Sequence, residues 1–248
     1  MKEAAITFVT GTDTDVGKTV TTAALAAALA AGGAAVAAYK PTQTGVAPGG
    51  TGDMDEVARL SGVGTVCEGI RLLAPMAPVA AAAREGRALP ALAHHVDRIS
   101  GLAAGFDHVL VEGAGGLLVE LDAEGHTVAD LAAAVGRAAG AARCRIVVAC
   151  RSGLGTLNHT LLTLEALDRR GLPAAGLVVG SWPASPSVID EDNRSYFQRL
   201  PTPYLGALPA GAAGLDPHTF QEQAPHWLRL PAAAGPTRRR SATARSSA

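Results

Sequence analysis

Residues 11–19 read Gly-Thr-Asp-Thr-Asp-Val-Gly-Lys-Thr, a glycine loop that ends in Lys-Thr. An apolar run, Ala4 to Val9, precedes it, and a long Ala-rich helical pattern follows. Strand, glycine loop and helix in that order form a phosphate-binding loop. Its backbone N–H groups, backed by a helix N-terminus, cradle a polyphosphate. Lys18 is placed to reach the β- and γ-phosphates, and the Thr19 hydroxyl to ligate Mg²⁺. The spacing is a variant: the usual first glycine position is Thr12, and Gly11 comes one residue early.

Further chemistry-bearing residues follow later apolar runs. Lys40 comes at the end of the second predicted strand, where an ammonium can neutralise charge on a transferring phosphoryl group. Spacing alone allows a surface lysine equally well. Glu112 ends the run His108-Val-Leu-Val-Glu. An acid there, facing a loop threonine, resembles the magnesium carboxylate of other phosphate-loop enzymes. Gly113, Gly115 and Gly116 then let backbone approach a ligand closely. Asp53 and Asp55 open a predicted helix, and capping alone would justify Asp53. Gly155-Thr156-Leu157-Asn158 opens another, whose free N–H groups form an anion site. Thr127 and Asp130 read as a capping pair. The histidines make no metal-binding pattern, and the adjacent His94 and His95 read as solvated or packing residues.

The combination is more specific than a phosphate loop. The nine-residue string resembles the nucleotide loop of the dethiobiotin synthetases. Further matches are Tyr39-Lys40-Pro41 with Gln43-Thr44-Gly45, then Val111 to Gly116, then Gly155 to His159. The resemblance spans residues 4 to about 230. It implies that Asp13, Thr14, Asp15, Val16, Gly17, Lys18, Thr19 and Val20 line the nucleotide, with Glu112, Gly113 and Gly115. It implies active-site roles for Lys18 and Lys40, with Thr14 and Thr44 near a substrate carbamate. Asp15 would take a proton from a substrate amine, an exposed loop aspartate being the alternative. Thr19, Asp53 and Glu112 would hold Mg²⁺, with Asp55 the alternative to Asp53. Residues 155–158 would hold a substrate carboxylate, together with Tyr196 from a partner subunit; ordinary packing is the other reading of Tyr196. Gly180 and Ser181 stand where many members place an adenine-reading asparagine, so base selectivity is expected to be loose.

The implied activity is ATP-dependent ring closure of 7,8-diaminononanoate with CO₂ in biotin biosynthesis, through a carbamate and a carbamic–phosphoric anhydride. A homodimer with sites at the subunit interface is expected. Two other kinds of phosphate-loop protein fit less well. A partition-type switch ATPase carries an extra lysine early in its loop, where this chain has Thr12 or Asp13. An amide-forming ligase with a glutaminase domain needs a longer chain.

Composition agrees. The 248 residues carry a net charge of −1, and 4% are aromatic, too few for a base-stacking platform and without a basic stripe in the folded part. No nucleic-acid or membrane partner is expected, and no uncharged apolar run spans a bilayer. Cys67, Cys144 and Cys150 are scattered, which fits a reduced cytoplasmic protein, with Cys144 and Cys150 read as buried strand residues.

The elements that must position these residues alternate. Strands are predicted at about 4–10, 34–39, 107–112, 144–150, 174–180 and 203–207. Helices are predicted at about 17–31, 53–61, 88–104, 127–139, 156–170 and 187–200. Strands such as Ile146-Val147-Val148-Ala149 are apolar on both faces, the mark of parallel strands covered by helices. The expected fold is α/β: a doubly wound, mostly parallel sheet of the phosphate-loop NTPase type. Ligands in such folds sit at the carboxyl ends of the strands, where every motif above should converge. Residues 1–230 are expected to form one ligase domain. Within it, 41–52 holds four glycines and two prolines and reads as a mobile lid. Residues 231–248, with Arg238-Arg239-Arg240, read as a solvated, disordered tail.

Overall fold

Strand and helix alternate along residues 4–231, the part of the chain that the computed structural model describes. The strands are β1 (Ala5–Gly11), β2 (Val36–Gln43), β3 (Thr65–Arg71), β4 (His108–Gly116), β5 (Cys144–Cys150), β6 (Ala174–Trp182) and β7 (Tyr204–Pro209). They form one sheet in the order β3-β2-β4-β1-β5-β6-β7, and every pairing is parallel. The helices are α1 (Lys18–Ala31), α2 (Asp53–Ser61), α3 (Pro78–Glu85), α4 (Leu92–Ala103), α5 (Val128–Ala139), α6 (Thr156–Asp168), α7 (Val188–Arg199) and α8 (Pro217–Trp227).

Both faces of the sheet are buried, as continuous apolar strands require. Strand side chains alternate between them. Val9, Leu110, Val147 and Val178 pack with α1, α2 and α8. Ile6, Phe8, Val109, Val111, Val148 and Val179 pack on the other face with α4, α5 and α7. In α1, Ala23, Ala24, Ala26 and Ala27 are all buried, and their small side chains bring the helix close to the sheet. That proximity fixes the end of the phosphate loop. Among the described residues, no helix is long and apolar enough to cross a membrane.

Several elements differ from expectation. β3, α3 and α8 were not read from the sequence. β3 is an edge strand, Thr-Val-Cys-Glu-Gly-Ile-Arg, and only Ile70 in it is buried. It therefore lacks the apolar run that marked its neighbours. α8 carries Pro225 inside it, which masks a helical pattern. α4 begins at Leu92 because Pro90 disfavours helix in the residue before it. β2 runs on to Gln43 and β4 to Gly116, so Lys40 and Glu112 lie within their strands. The segment read as a lid is therefore strand as far as Gln43. Asp53 is not the cap of α2: Gly52 is, and Asp55 accepts its N–H at 2.7 Å. Thr127 and Asp130 do form the expected capping box. Cys150 is buried, whereas Cys144 is half-buried. Residues 232–248 lie outside the described part, but Pro231 is buried, and its carbonyl accepts from Arg145 at 3.1 Å.

Candidate active site

β1 delivers the chain to the carboxyl edge of the sheet, and α1 leads it away. The turn between them is built on contacts that exclude side chains. Gly17 has a left-handed φ of 88°. A Cβ on Gly17 would lie 2.6 Å from the Gly180 carbonyl oxygen, and a Cβ on Gly180 would lie 2.0 Å from that of Val16. One backbone contact thus demands glycine twice, and it brings the end of β6 against the loop. Asp15 has φ 55°, an uncommon conformation for a residue with a side chain and one that clusters at ligand sites.

The loop meets β2, β4 and α2 across a cleft of about 770 Å³. Thr14, Asp15, Lys18, Thr19, Lys40, Thr44, Asp53 and Gly115 line it. Lys18 Nζ donates to the Asp13 carbonyl at 3.0 Å. Burial, then the nearby Lys40 charge, push the Lys18 pKa down. Lys40 Nζ donates to Glu112 Oε1 at 2.7 Å and lies 2.7 Å from Asp53 Oδ2. Burial opposes charge on Lys40, but the two carboxylates outweigh it and hold the ammonium above its ordinary pKa. The Thr19 hydroxyl donates to the same Glu112 Oε1 at 3.0 Å.

Glu112 is wholly buried, and its second oxygen, Oε2, has no hydrogen-bond partner among the described residues. A buried carboxylate oxygen left unpaired is costly. Beside a threonine hydroxyl and a second carboxylate, it is the donor set that a hard divalent cation takes. Asp55 turns away, its Oδ2 3.0 Å from Arg71 Nη2.

Not every expected residue joins the cleft. Gly155 adopts the left-handed conformation ahead of α6, but neither it nor residues 156–158 line the cleft. The Thr156 hydroxyl is spent on the Arg151 carbonyl at 2.7 Å, Leu157 packs on the core, and Asn158 is exposed. Tyr196 is half-buried against the same core, and Ser181 is exposed at the end of β6. Asp13 is also exposed; its carboxylate accepts from the Thr14 N–H, which with Arg151 lowers its pKa. Val16 is buried, whereas Val20 does line the cleft and also packs against the core under α1. Gly113 presents its carbonyl 3.5 Å from Lys40 Nζ.

One contributor was missed. Arg151, directly after β5, donates to the Thr14 carbonyl at 2.8 Å and lies 3.3 Å from Asp13 Oδ2. It ties the loop before α6 to the phosphate loop. A charged residue at the carboxyl end of a central strand was the available signal. A larger cavity, about 1410 Å³, opens at the opposite ends of β5, β6 and β7. It is lined by none of the residues that line the cleft.

The family profile described as an AAA domain matches residues 6–216. The chain is 48% identical over 227 residues to the ATP-dependent dethiobiotin synthetase BioD of Streptomyces coelicolor, covering 91% of this chain and 92% of that protein. It is 49% identical over 224 residues to the protein of the same name from Rhodococcus jostii, covering 90% and 94%. Among solved structures, chloroplast FtsY from Physcomitrella patens superposes with a TM-score of 0.52 at 17% identity, covering 90% of this chain and 66% of that one. The cell division ATPase MinD of Pyrococcus furiosus gives 0.50 at 17%, covering 90% and 89%. At such identity the two structures speak for the fold alone.

Proposed function

The chain belongs to the dethiobiotin synthetase family, ATP-dependent ligases of biotin biosynthesis, and on that premise we propose how its residues share the work. The substrates are 7,8-diaminononanoate, CO₂ and ATP. One amine attacks CO₂, forming an N–C bond and losing a proton to give a carbamate. A carbamate oxygen attacks the γ-phosphorus, the bond to the β-phosphate oxygen breaks, and ADP leaves. The second amine attacks the carbonyl carbon of the anhydride, expels phosphate and closes the cyclic urea. This chemistry asks for positioning and charge neutralisation rather than a covalent nucleophile.

The observation that carries the reading is the cluster of Lys40, Glu112, Asp53 and Thr19 beneath the phosphate loop. Lys18 and the loop N–H groups hold the phosphates. Lys40 meets charge on the moving phosphoryl group. Thr14 and Thr44 offer hydroxyls beside the carbamate, and Asp15 accepts a proton from the amine. Thr19, Asp53 and Glu112 would hold Mg²⁺, Glu112 through its unpartnered Oε2, and the ion would supply positive charge to the phosphates.

Residues 155–158 and Tyr196 do not reach the cleft of their own subunit. We assign them to the substrate carboxylate in a homodimer, in which a second copy completes the site. The exposed Leu154 and Val188, 88% and 78% accessible, supply apolar surface for that contact. The single sheet supports one ligase domain over residues 1–230. The free cysteines fit a cytoplasmic setting. The test is transfer of labelled carbon from bicarbonate into a cyclic urea, dependent on both ATP and the diamine. Labelled carbamate without ring closure would contradict it.

A further inference from the structure

Asp53 reaches the cleft from an unpromising position. It is the first residue of α2 and follows Gly49, Gly50 and Gly52, backbone that imposes little direction of its own. Its side chain is 38% exposed, yet its carboxylate lies 2.7 Å from Lys40 Nζ. Something else must aim it.

Two side chains do so from opposite sides. The Asp53 N–H donates to Gln43 Oε1 at 2.9 Å, and Gln43 Nε2 donates to the Thr44 carbonyl at 2.9 Å. Gln43 is 4% exposed, so its amide is not free to turn toward water. On the outer side, Arg71 Nη1 donates to the Gly50 carbonyl at 2.7 Å, and Nη2 to Asp55 Oδ2 at 3.0 Å. That same Asp55 oxygen caps Gly52. Glu68 holds the guanidinium in place through two hydrogen bonds of 2.7 and 2.8 Å. Gly52 packs flat on this arrangement: a Cβ there would lie 2.7 Å from Arg71 Nη2. The glycine-rich segment is thus tied at Gly50, Gly52 and Asp53 in succession.

We propose that Gln43 and Arg71 are positioning residues that fix the Asp53 carboxylate at the metal edge of the cleft. Gln43 acts through the Asp53 amide, and Arg71 through the Gly50 carbonyl and Asp55. Groups that orient a metal ligand in this way typically contribute about 10–100-fold to metal affinity. The proposal rests on the reading of Asp53 as a metal ligand, and its test separates the two.

The experiment measures Mn²⁺ affinity by electron paramagnetic resonance in the protein–ADP complex. It uses the full chain and the variants Asp53→Asn, Gln43→Met and the double variant, with metal-free ADP affinity as the control. Gln43→Met is expected to weaken Mn²⁺ binding roughly 10-fold, with ADP affinity unchanged. The double variant should bind Mn²⁺ no more weakly than Asp53→Asn alone, because Gln43 acts through Asp53. Unaltered Mn²⁺ affinity in Gln43→Met, or fully additive losses in the double variant, would overturn the proposal while leaving the metal site standing. Unaltered affinity in Asp53→Asn would overturn the metal reading and the proposal with it. If Gln43→Met does not fold, Arg71→Met enters the same cycle with the same expectations, since Arg71 is partly exposed.

Discussion

Lys40 Nζ and Glu112 Oε1 lie 2.7 Å apart at the floor of the cleft, both buried. Neither is stable there alone. The pair keeps an ammonium under the phosphate loop and leaves Glu112 Oε2 without a hydrogen-bond partner among the described residues. Lys40→Met strands two carboxylates without their cation. Loss of kcat by roughly 10²–10³-fold is expected, with a lower melting temperature. Lys18→Ala should lose a similar factor with a smaller change in melting, because among the described residues the Lys18 ammonium hydrogen-bonds to a carbonyl of its own loop rather than to a carboxylate. Steady-state kinetics and thermal unfolding of both variants check this; an effect of Lys40→Met confined to KM would reduce Lys40 to a ground-state binding residue.

The contact between Gly17 and Gly180 makes a second prediction. A methyl group on Gly180 would fall 2.0 Å from the Val16 carbonyl oxygen, so the phosphate loop must shift to accept it. Gly180→Ala should destabilise the fold by about 1–3 kcal/mol and weaken nucleotide binding. Calorimetric titration with ADP, beside chemical denaturation, measures both. Unchanged ADP affinity would show that the loop does not depend on this contact.

His95 supplies a pH dependence. It is fully buried, within 2.6 Å of the Tyr39 hydroxyl, and its Nε2 has no hydrogen-bond partner among the described residues. Burial, then the neighbouring His94, push its pKa from 6.5 down to about 4. The unfolded chain therefore takes up this proton at higher pH than the folded chain does. Stability should fall as pH drops from 6.5 towards 4. Thermal unfolding across that range should show the loss, and His95→Gln should flatten it. An identical slope in the variant would assign the acid sensitivity to another group.

Base selectivity should be loose. The backbone at Gly180 serves the phosphate loop, and Ser181 beyond it is exposed and carries no amide side chain to read a base edge. Equal concentrations of ATP, GTP and CTP should all support turnover within about tenfold, a difference of roughly 1.4 kcal/mol. Strict use of ATP would require another reader of the adenine edge.

What was legible in the sequence was what local pattern encodes. The central strands announce themselves because β1, β4, β5 and β6 are apolar on both faces, and their carboxyl ends carry the phosphate loop, Glu112 and Gly155. The edge strand β3 was invisible because an edge needs no continuous apolar run. The cap of α2 was misplaced by one residue because Asp53 is a good capping type, while its carboxylate is drawn to Lys40, thirteen positions back in the chain. The clamp of Arg151 on Thr14 joins residues 137 apart, and no local spacing marks such a contact. The roles proposed for Tyr196 and Asn158 would need a second subunit, because neither residue lines the cleft of the single chain.

The most direct test follows two products at once. Purified protein with Mg²⁺-ATP and bicarbonate should release phosphate at a low background rate, because no acceptor lies in line with the γ-phosphate. Addition of 7,8-diaminononanoate should raise phosphate release, in step with a product whose mass is that of the diamine plus CO₂ less one water. Phosphate release that ignores the diamine, with no cyclic urea detected by mass spectrometry, would contradict the account and leave a nucleotide-switch ATPase as the better reading.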